Sequence, residues 1–241
     1  MTAVRDAIYA RTSTRRFDPD RPVEQEKLER VLTTALQAPS SSNTQPYKLA
    51  VATGATRDAI SKELAGLFAV ARKLKRMSLP RQAITAILTG SRPTNDVKVM
   101  FDLPPEIHKR RSVTGHGLYE LLGIDRKDLK ARDDHMARNF DFFDAPVAIF
   151  VFAYGPMEHH GALDTGIFLQ TLMLAAHEEG LSTCPQGALA LWSHPVRKHF
   201  KVPKDYKLIC GVSLGYAADH HVNKYKPGRV GLDELLLKEK K

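Results

Sequence analysis

Between Arg11 and Phe17 the chain reads RTSTRRF, placing Arg11, Thr12, Ser13 and Arg15 within five positions. Arginine forks meet phosphate oxygens two at a time, and neighbouring hydroxyls complete a ring of donors. The same residues would equally serve as the basic last turn of a helix, complementing its dipole. A second stretch, APSSSNTQPYKLAV, sets Pro39, Ser40, Ser41, Ser42 and Asn43 directly before an apolar run. Small hydroxyl and amide groups stiffened by Pro39 and Pro46 form a cradle for a polar ring system, or an ordinary turn from helix to strand. A third, VNKYKPGRVGLDE, carries Lys224, Lys226 and Arg229. It is an anion site or a solvated basic tail. Residue types alone leave both readings open at all three places.

The elements that must position these residues are legible in part. VRDAIYARTS has apolar residues at helical spacing and runs out in hydroxyls. DRPVEQEKLERVLTTALQAPS predicts a helix, with Pro22 near its first turn, acids at its start and Pro39 as its stop. YKLAVAT predicts a strand, followed by a helix through RDAISKELAGLFAVARKLKRM with Thr56 as N-cap. Helical pattern returns in GLYELLGI and RKDLKARDDHMARNFDFF. APVAIFVFA and YKLICGVSLGYA predict interior strands, HGALDTGIFLQTLMLAAHEEG a buried helix, and HPVRKHF a short one. The stretch of about 72–117, above all Ser78 to Gly117, has four prolines and weak periodicity, and reads as a lid or excursion over a site. Mixed helices and strands without repeat or linker predict one α+β domain over residues 1–241.

Composition narrows the function. Hydrophobic residues at 43% and charged residues at 26% belong to a folded chain with a full core. No apolar run approaches the roughly 20 residues of a membrane helix, so no membrane partner is expected. The net charge of +9 and pI near 9.5 raise the question of nucleic acid. The basic residues are scattered among acids and lack aromatic-basic or finger spacing, so a phosphorylated small molecule is the expected partner instead. Two cysteines, Cys184 and Cys210, are too few for a disulfide framework, and a cytoplasmic location is expected.

Taken together the motifs resemble the flavin-dependent nitroreductase family, and the resemblance runs through nearly the whole chain. IYARTSTRRF is similar to that family's Arg-x-Ser-x-Arg-x-Phe opening. APSSSNTQPYKLAV is similar to its Pro-Ser-x-x-Asn-x-Gln-Pro-aromatic loop. DTGIFLQTLMLAAHEEGLSTCPQG resembles its buried helix with Cys-Pro-Gln. SLGYAADHHVNKYKPGRVGLDE resembles its Leu-Gly-Tyr and Asn-x-x-basic-x-x-Arg close.

The resemblance implies a mixed central sheet flanked by helices in an intertwined homodimer, with FMN at the subunit interface. Arg11, Thr12, Ser13 and Arg15 would hold the phosphate and the pyrimidine side. Pro39, Ser40, Ser41 and Asn43 would come from the partner chain. Pro185, Gln186 and Gly187 would approach the ring through backbone groups of a CPQG turn, and Lys226 and Arg229 would pair with the phosphate. It implies an NAD(P)H oxidoreductase that reduces nitroaromatic or quinone-type acceptors by ping-pong hydride transfer, with NADH or NADPH as reductant. No side chain is required as catalytic acid or base. The chain departs from the pattern at Thr12, at Tyr47 in place of Trp, and at Lys226 in place of Arg, which keeps charge but loses the fork. Reductive dehalogenation or flavin fragmentation on the same fold, and a flavin-binding sensor without turnover, are the rival readings. Cys184, the pairs His159–His160 and His220–His221, and Trp192 are read as packing or surface residues, with no metal site. GVSLGY does not match a dinucleotide-binding glycine pattern.

Overall fold

The computed structural model describes residues 3–74, 77–99 and 101–240. In chain order the main elements are helices α1 (Ala3–Ala10) and α2 (Gln25–Ala35), strand β1 (Tyr47–Thr53), then helices α3 (Gly54–Leu74), α4 (Leu79–Leu88), α5 (Pro105–Leu121) and α6 (Leu129–Ala137). Strand β2 (Val147–Tyr154), helix α7 (Glu158–Glu178), strand β3 (Ser182–Gln186), helix α8 (His194–His199), strand β4 (Tyr206–Gly215) and helix α9 (Leu232–Leu235) follow. The four strands form one sheet in the order β1-β2-β4-β3, every adjacent pair antiparallel. The α+β class is therefore as expected. Among the described residues, parallel pairing is confined to single bridges, Ser13 with Thr183 and Thr94 with Trp192.

Strand β2 sits centrally because all its residues are apolar and both faces are covered. Its side chains alternate. Ala148, Phe150 and Phe152 face a cluster with Ile60, Leu64 and Phe68 of α3 and with Phe140, Phe142 and Trp192. Val147, Ile149 and Val151 face the opposite cluster with Leu28 and Val31 of α2 and Phe168 and Leu172 of α7. Each sheet face thus carries its own core, and the chain crosses between them at loops on the sheet's ends. Strand β4 approaches the Gly187–Leu191 turn closely at Gly211, where a Cβ would run into the side chain of fully buried Leu189. Gly211→Ala is expected to cost about 1–3 kcal/mol of stability by overpacking, read as a shift in urea midpoint without a change in slope.

Three expectations change in detail, and part of a fourth falls outside the described residues. Helix α3 starts at Gly54, whose φ of +48° makes the reversal out of β1, so Thr56 lies inside the helix rather than capping it. Lys75 and Arg76, placed on that helix by its sequence pattern, fall outside the described residues. The excursion is more ordered than its sequence suggests, because α4 and α5 occupy much of 78–117. CPQ is not a turn: Ser182–Gln186 is an edge strand, where Pro185 is tolerated because one side of the ladder is unpaired.

Candidate functional site

Immediately after α1, residues 11–18 run along the free edge of the sheet. Thr14 N donates to Thr183 O at 3.0 Å, Phe17 N to Phe143 O at 3.0 Å, and Asp18 N to Tyr216 O at 2.9 Å. The segment is fastened from the other side by Asn223. Its Oδ1 accepts from Arg15 N at 2.9 Å and Arg16 N at 3.1 Å, and its Nδ2 donates to Arg16 O at 2.8 Å and Ala218 O at 2.9 Å. One amide so satisfies four groups of two chain segments, which fixes the direction in which Arg11, Ser13 and Arg15 project. The Thr12 hydroxyl lies 3.4 Å from Asn223 O.

Arg16 pairs with Asp144 at 3.1 Å, whereas Arg11, Arg15 and Lys226 have no carboxylate partner among the described residues. Arg15 Nη1 donates to Ser13 O at 3.1 Å and Lys226 Nζ to Tyr9 O at 3.0 Å, so both meet backbone carbonyls. Arg11 Nη1 is removed from solvent with no acceptor within reach. A buried guanidinium N–H left unpaired costs free energy that an anion's oxygen would recover. Arg229 bonds only Pro227 O and Gly228 O, at 2.8 and 3.1 Å, on an exposed turn. The structure thus brings Arg11, Thr12, Ser13 and Arg15 together beside β3, ties Lys226 to the end of α1 at Tyr9, and bonds Arg229 only within its own turn.

At the end of β3, Gln186 turns its side chain inward. Nε2 donates to Asn139 O at 2.9 Å, and Oε1 accepts from the Ser213 hydroxyl. Pro185 and Gly187 on either side of it are exposed. Any ligand beside this strand end therefore meets the backbone and Pro185, not the amide of Gln186. The buried Cys184 thiol is pushed up to about 11 by burial, against the nearby Arg15 and Arg11, and burial pushes Cys210 up to about 12. Both stay protonated in the fold while an unfolded thiol ionises near 9.0. The sign follows: this contribution to stability is complete below pH 9 and is lost as pH rises toward about 11–12. A thiol reagent at pH 8 is expected to label neither cysteine until denaturant is added, and stability measured by denaturant titration is expected to fall between pH 9 and 11.

The serine-rich loop lies elsewhere on the same chain. Ser41 N donates to Asp164 Oδ2 at 3.1 Å, at the start of α7, and Tyr47 stacks on Phe168 with ring centres 4.3 Å apart. Ser42, Asn43 and Gln45 have φ of 48°, 57° and 46°, left-handed positions on either side of right-handed Thr44, held by Gln45 N to Ser40 Oγ and Asn43 N to Ser40 O, both at 3.0 Å. Non-glycine residues in this region cost about 1–3 kcal/mol each and persist only where the surroundings insist on them. Ser41–Asn43 are exposed, and no described hydrogen bond links this loop to Arg11–Arg15 or to Pro185–Gly187.

Gly187 also lines a cleft of about 1010 Å³, together with Val97, Phe101, Tyr154, Ala162 and Ile209. One wall of it, formed by Asp96–Val99 and Phe101, is tied down by Asp96. That carboxylate accepts from Arg197 at 2.7 Å, from Leu208 N at 2.8 Å and from the Ser193 hydroxyl at 3.0 Å. Asp96, Asp164 and Asn139 carry no signal that sequence reading could use, because their partners are 47 to 123 positions away. Asn223 sits in the motif that carried the resemblance, yet its clamp on Arg15 spans 208 positions.

The Nitroreductase family matches residues 8–216, and the chain belongs to it. A 4-nitrobenzoate reductase of Pseudomonas putida is 31% identical over 220 residues, 89% of this chain and 86% of that protein. Among solved structures, an FMN- and NADPH-dependent nitroreductase, NfnB, from a sphigopyxis strain superposes with a TM-score of 0.86 at 30% identity, both chains covered in full. The FMN-dependent nitroreductase NfnB from Mycobacterium smegmatis, solved in complex with NADPH, gives 0.83 at 32% identity, covering 99% of this chain and 98% of its own. No helix among the described residues is long and apolar enough to cross a membrane.

Proposed function

We propose that this chain is an FMN-dependent NAD(P)H oxidoreductase that reduces nitroaromatic and quinone-type acceptors. The observation that carries the reading is the cation set beside β3: Arg11 with a buried, unpartnered N–H, and Arg15 and Lys226 bonded only to carbonyls. Such a set fits a phosphate dianion. Arg11, Thr12, Ser13, Arg15 and Lys226 bind the cofactor's phosphate and polar edge, with Arg229 closing over it from its exposed turn. Pro185 and Gly187, with the Gln186 backbone, form the wall against its ring, and the buried Gln186 amide holds that wall rigid through Asn139 and Ser213. FMN supplies the hydride chemistry when bound, and the largely apolar cleft beside Gly187 takes the nicotinamide and then the acceptor.

Pro39, Ser40, Ser41 and Asn43 act from a second copy of the chain in a homodimer, which is why their own chain leaves Pro39, Ser41 and Asn43 exposed. Exposed Val4, Ile8 and Tyr9 of α1, Leu163 of α7, and Leu232 and Leu235–Leu237 near the C-terminus support such an assembly, since large apolar side chains in that number are covered in most soluble proteins. Two free buried thiols suit a reducing cytoplasm.

The test is an absorbance spectrum of the purified protein, followed by anaerobic titration with NADH and NADPH. Flavin bands that bleach with pyridine nucleotide and recover on adding a nitroaromatic or quinone are expected. Protein that is colourless and fails to take up added FMN would overturn the reading. Light scattering then reads the mass of the loaded protein, with twice the chain mass expected.

A further inference from the structure

On the far part of the excursion, one face of α5 presents His108, Arg111, Ser112, Gly115, His116 and Tyr119 at successive helical spacings. With Arg126 from the turn after α5 and Arg132 from α6, these residues enclose a cavity of about 320 Å³. No carboxylate lines it. Four acids close to these elements have partners of their own. Asp125 accepts from Lys127 N at 2.7 Å and Asp128 from Ala131 N at 2.9 Å. Asp134 pairs with Arg72 and with Lys130, and Glu234 pairs with Arg110.

Three guanidinium groups without an intervening anion repel one another, and the repulsion is strongest where they are partly withdrawn from water. Arg132 is the withdrawn one. Its Nη1 donates to Arg126 O at 3.1 Å, its guanidinium lies 5.4 Å from the centre of the Tyr119 ring, and its Nε is buried without an acceptor. Rigid forks of this kind match the tetrahedral oxygens of phosphate, and the Ser112 and Tyr119 hydroxyls add donors of adjustable direction. The volume suits a phosphate group with a small attachment and is too small for a whole dinucleotide. None of the residues assigned above to FMN lines this cavity.

We propose that the cavity between α5 and α6 is a binding site for a phosphomonoester dianion, with Arg111, Arg126 and Arg132 as its cations. The phosphate comes either from the 2′-position of NADPH or from a separate phosphorylated molecule. To test it, FMN-loaded protein is titrated calorimetrically with inorganic phosphate at low ionic strength, against sodium chloride at matched ionic strength. Saturable uptake is expected in the wild type and in the surface control Lys204→Gln. At least a tenfold weakening is expected in Arg111→Gln/Arg132→Gln and in Arg111→Gln/Arg126→Gln, the latter changing only exposed side chains. If 2′,5′-ADP displaces the phosphate and the second variant raises KM for NADPH but not for NADH, the site reads the dinucleotide. If phosphate binds without either effect, the site serves a separate phosphorylated ligand. Heat no greater than the chloride control, or uptake unchanged in both double variants, would overturn the proposal. FMN content, read independently by absorbance, keeps this outcome separate from any failure of the flavin reading.

Discussion

Replacing Arg11 by Ala is expected to weaken FMN binding by one to two orders of magnitude, as loss of a charge-assisted bond of about 1.5–3 kcal/mol would. The cofactor-free chain is expected to keep its thermal midpoint or gain slightly. These two outcomes separate a ligand-binding role from a structural one. A residue that supports the fold loses stability when truncated, whereas Arg11 Nη1 has no partner to lose and its burial is an existing cost. Fluorescence titration of apoprotein with FMN and a thermal melt without it check both halves. A fall of several degrees in the apo melt, with FMN affinity unchanged, would remove Arg11 from the site.

The Asn223→Ala variant is expected to lose on both counts. Its amide makes four hydrogen bonds to Arg15, Arg16 and Ala218, and truncation leaves those backbone groups unsatisfied in a half-buried place. A stability loss of about 2–4 kcal/mol follows, together with FMN affinity reduced at least tenfold because the segment bearing Arg11 and Arg15 is no longer fixed. Asn223→Asp is the informative companion. Its carboxylate still accepts from Arg15 N and Arg16 N but cannot donate to Arg16 O and Ala218 O, so it is expected to fall between wild type and Ala in a urea denaturation series. An Asn223→Ala protein that melts with the wild type would mean that the segment is held by its bonds to β3 alone.

Some of this architecture is legible in the amino-acid sequence alone. β2 announces itself because VAIFVFAY is apolar on both faces, as a strand buried between two cores must be. α7 is legible because its apolar residues run nearly all round. β3 is not, since Ser182, Thr183 and Pro185 read as a turn, and only its place at the sheet edge makes the proline harmless. α5 is hidden for a different reason: it fully buries none of its residues, so HKRRS leaves no apolar period to detect. The same division holds at the site. Arg11, Ser13 and Arg15 can be nominated from type and spacing, because phosphate chemistry favours those groups. Their mutual position cannot, since it depends on Asn223 and Thr183, both more than 160 positions distant. Arg229 illustrates the reverse, a residue nominated by motif that its own chain leaves on an exposed turn.

The attachment of the cleft wall at Asp96 has an evolutionary consequence. Donors from β4, α8 and the turn before it all converge on this one carboxylate, and the described residues just beyond it, Val97 to Val99 and Phe101, belong to neither sheet nor helix. Apart from Val99, which packs against the core, the described residues of the panel beyond the anchor can be rewritten without disturbing the strands that shape the rest of the molecule. Substitutions there change what fits the cleft while the fold is inherited intact, so divergence toward new acceptors has a short and inexpensive route on this scaffold.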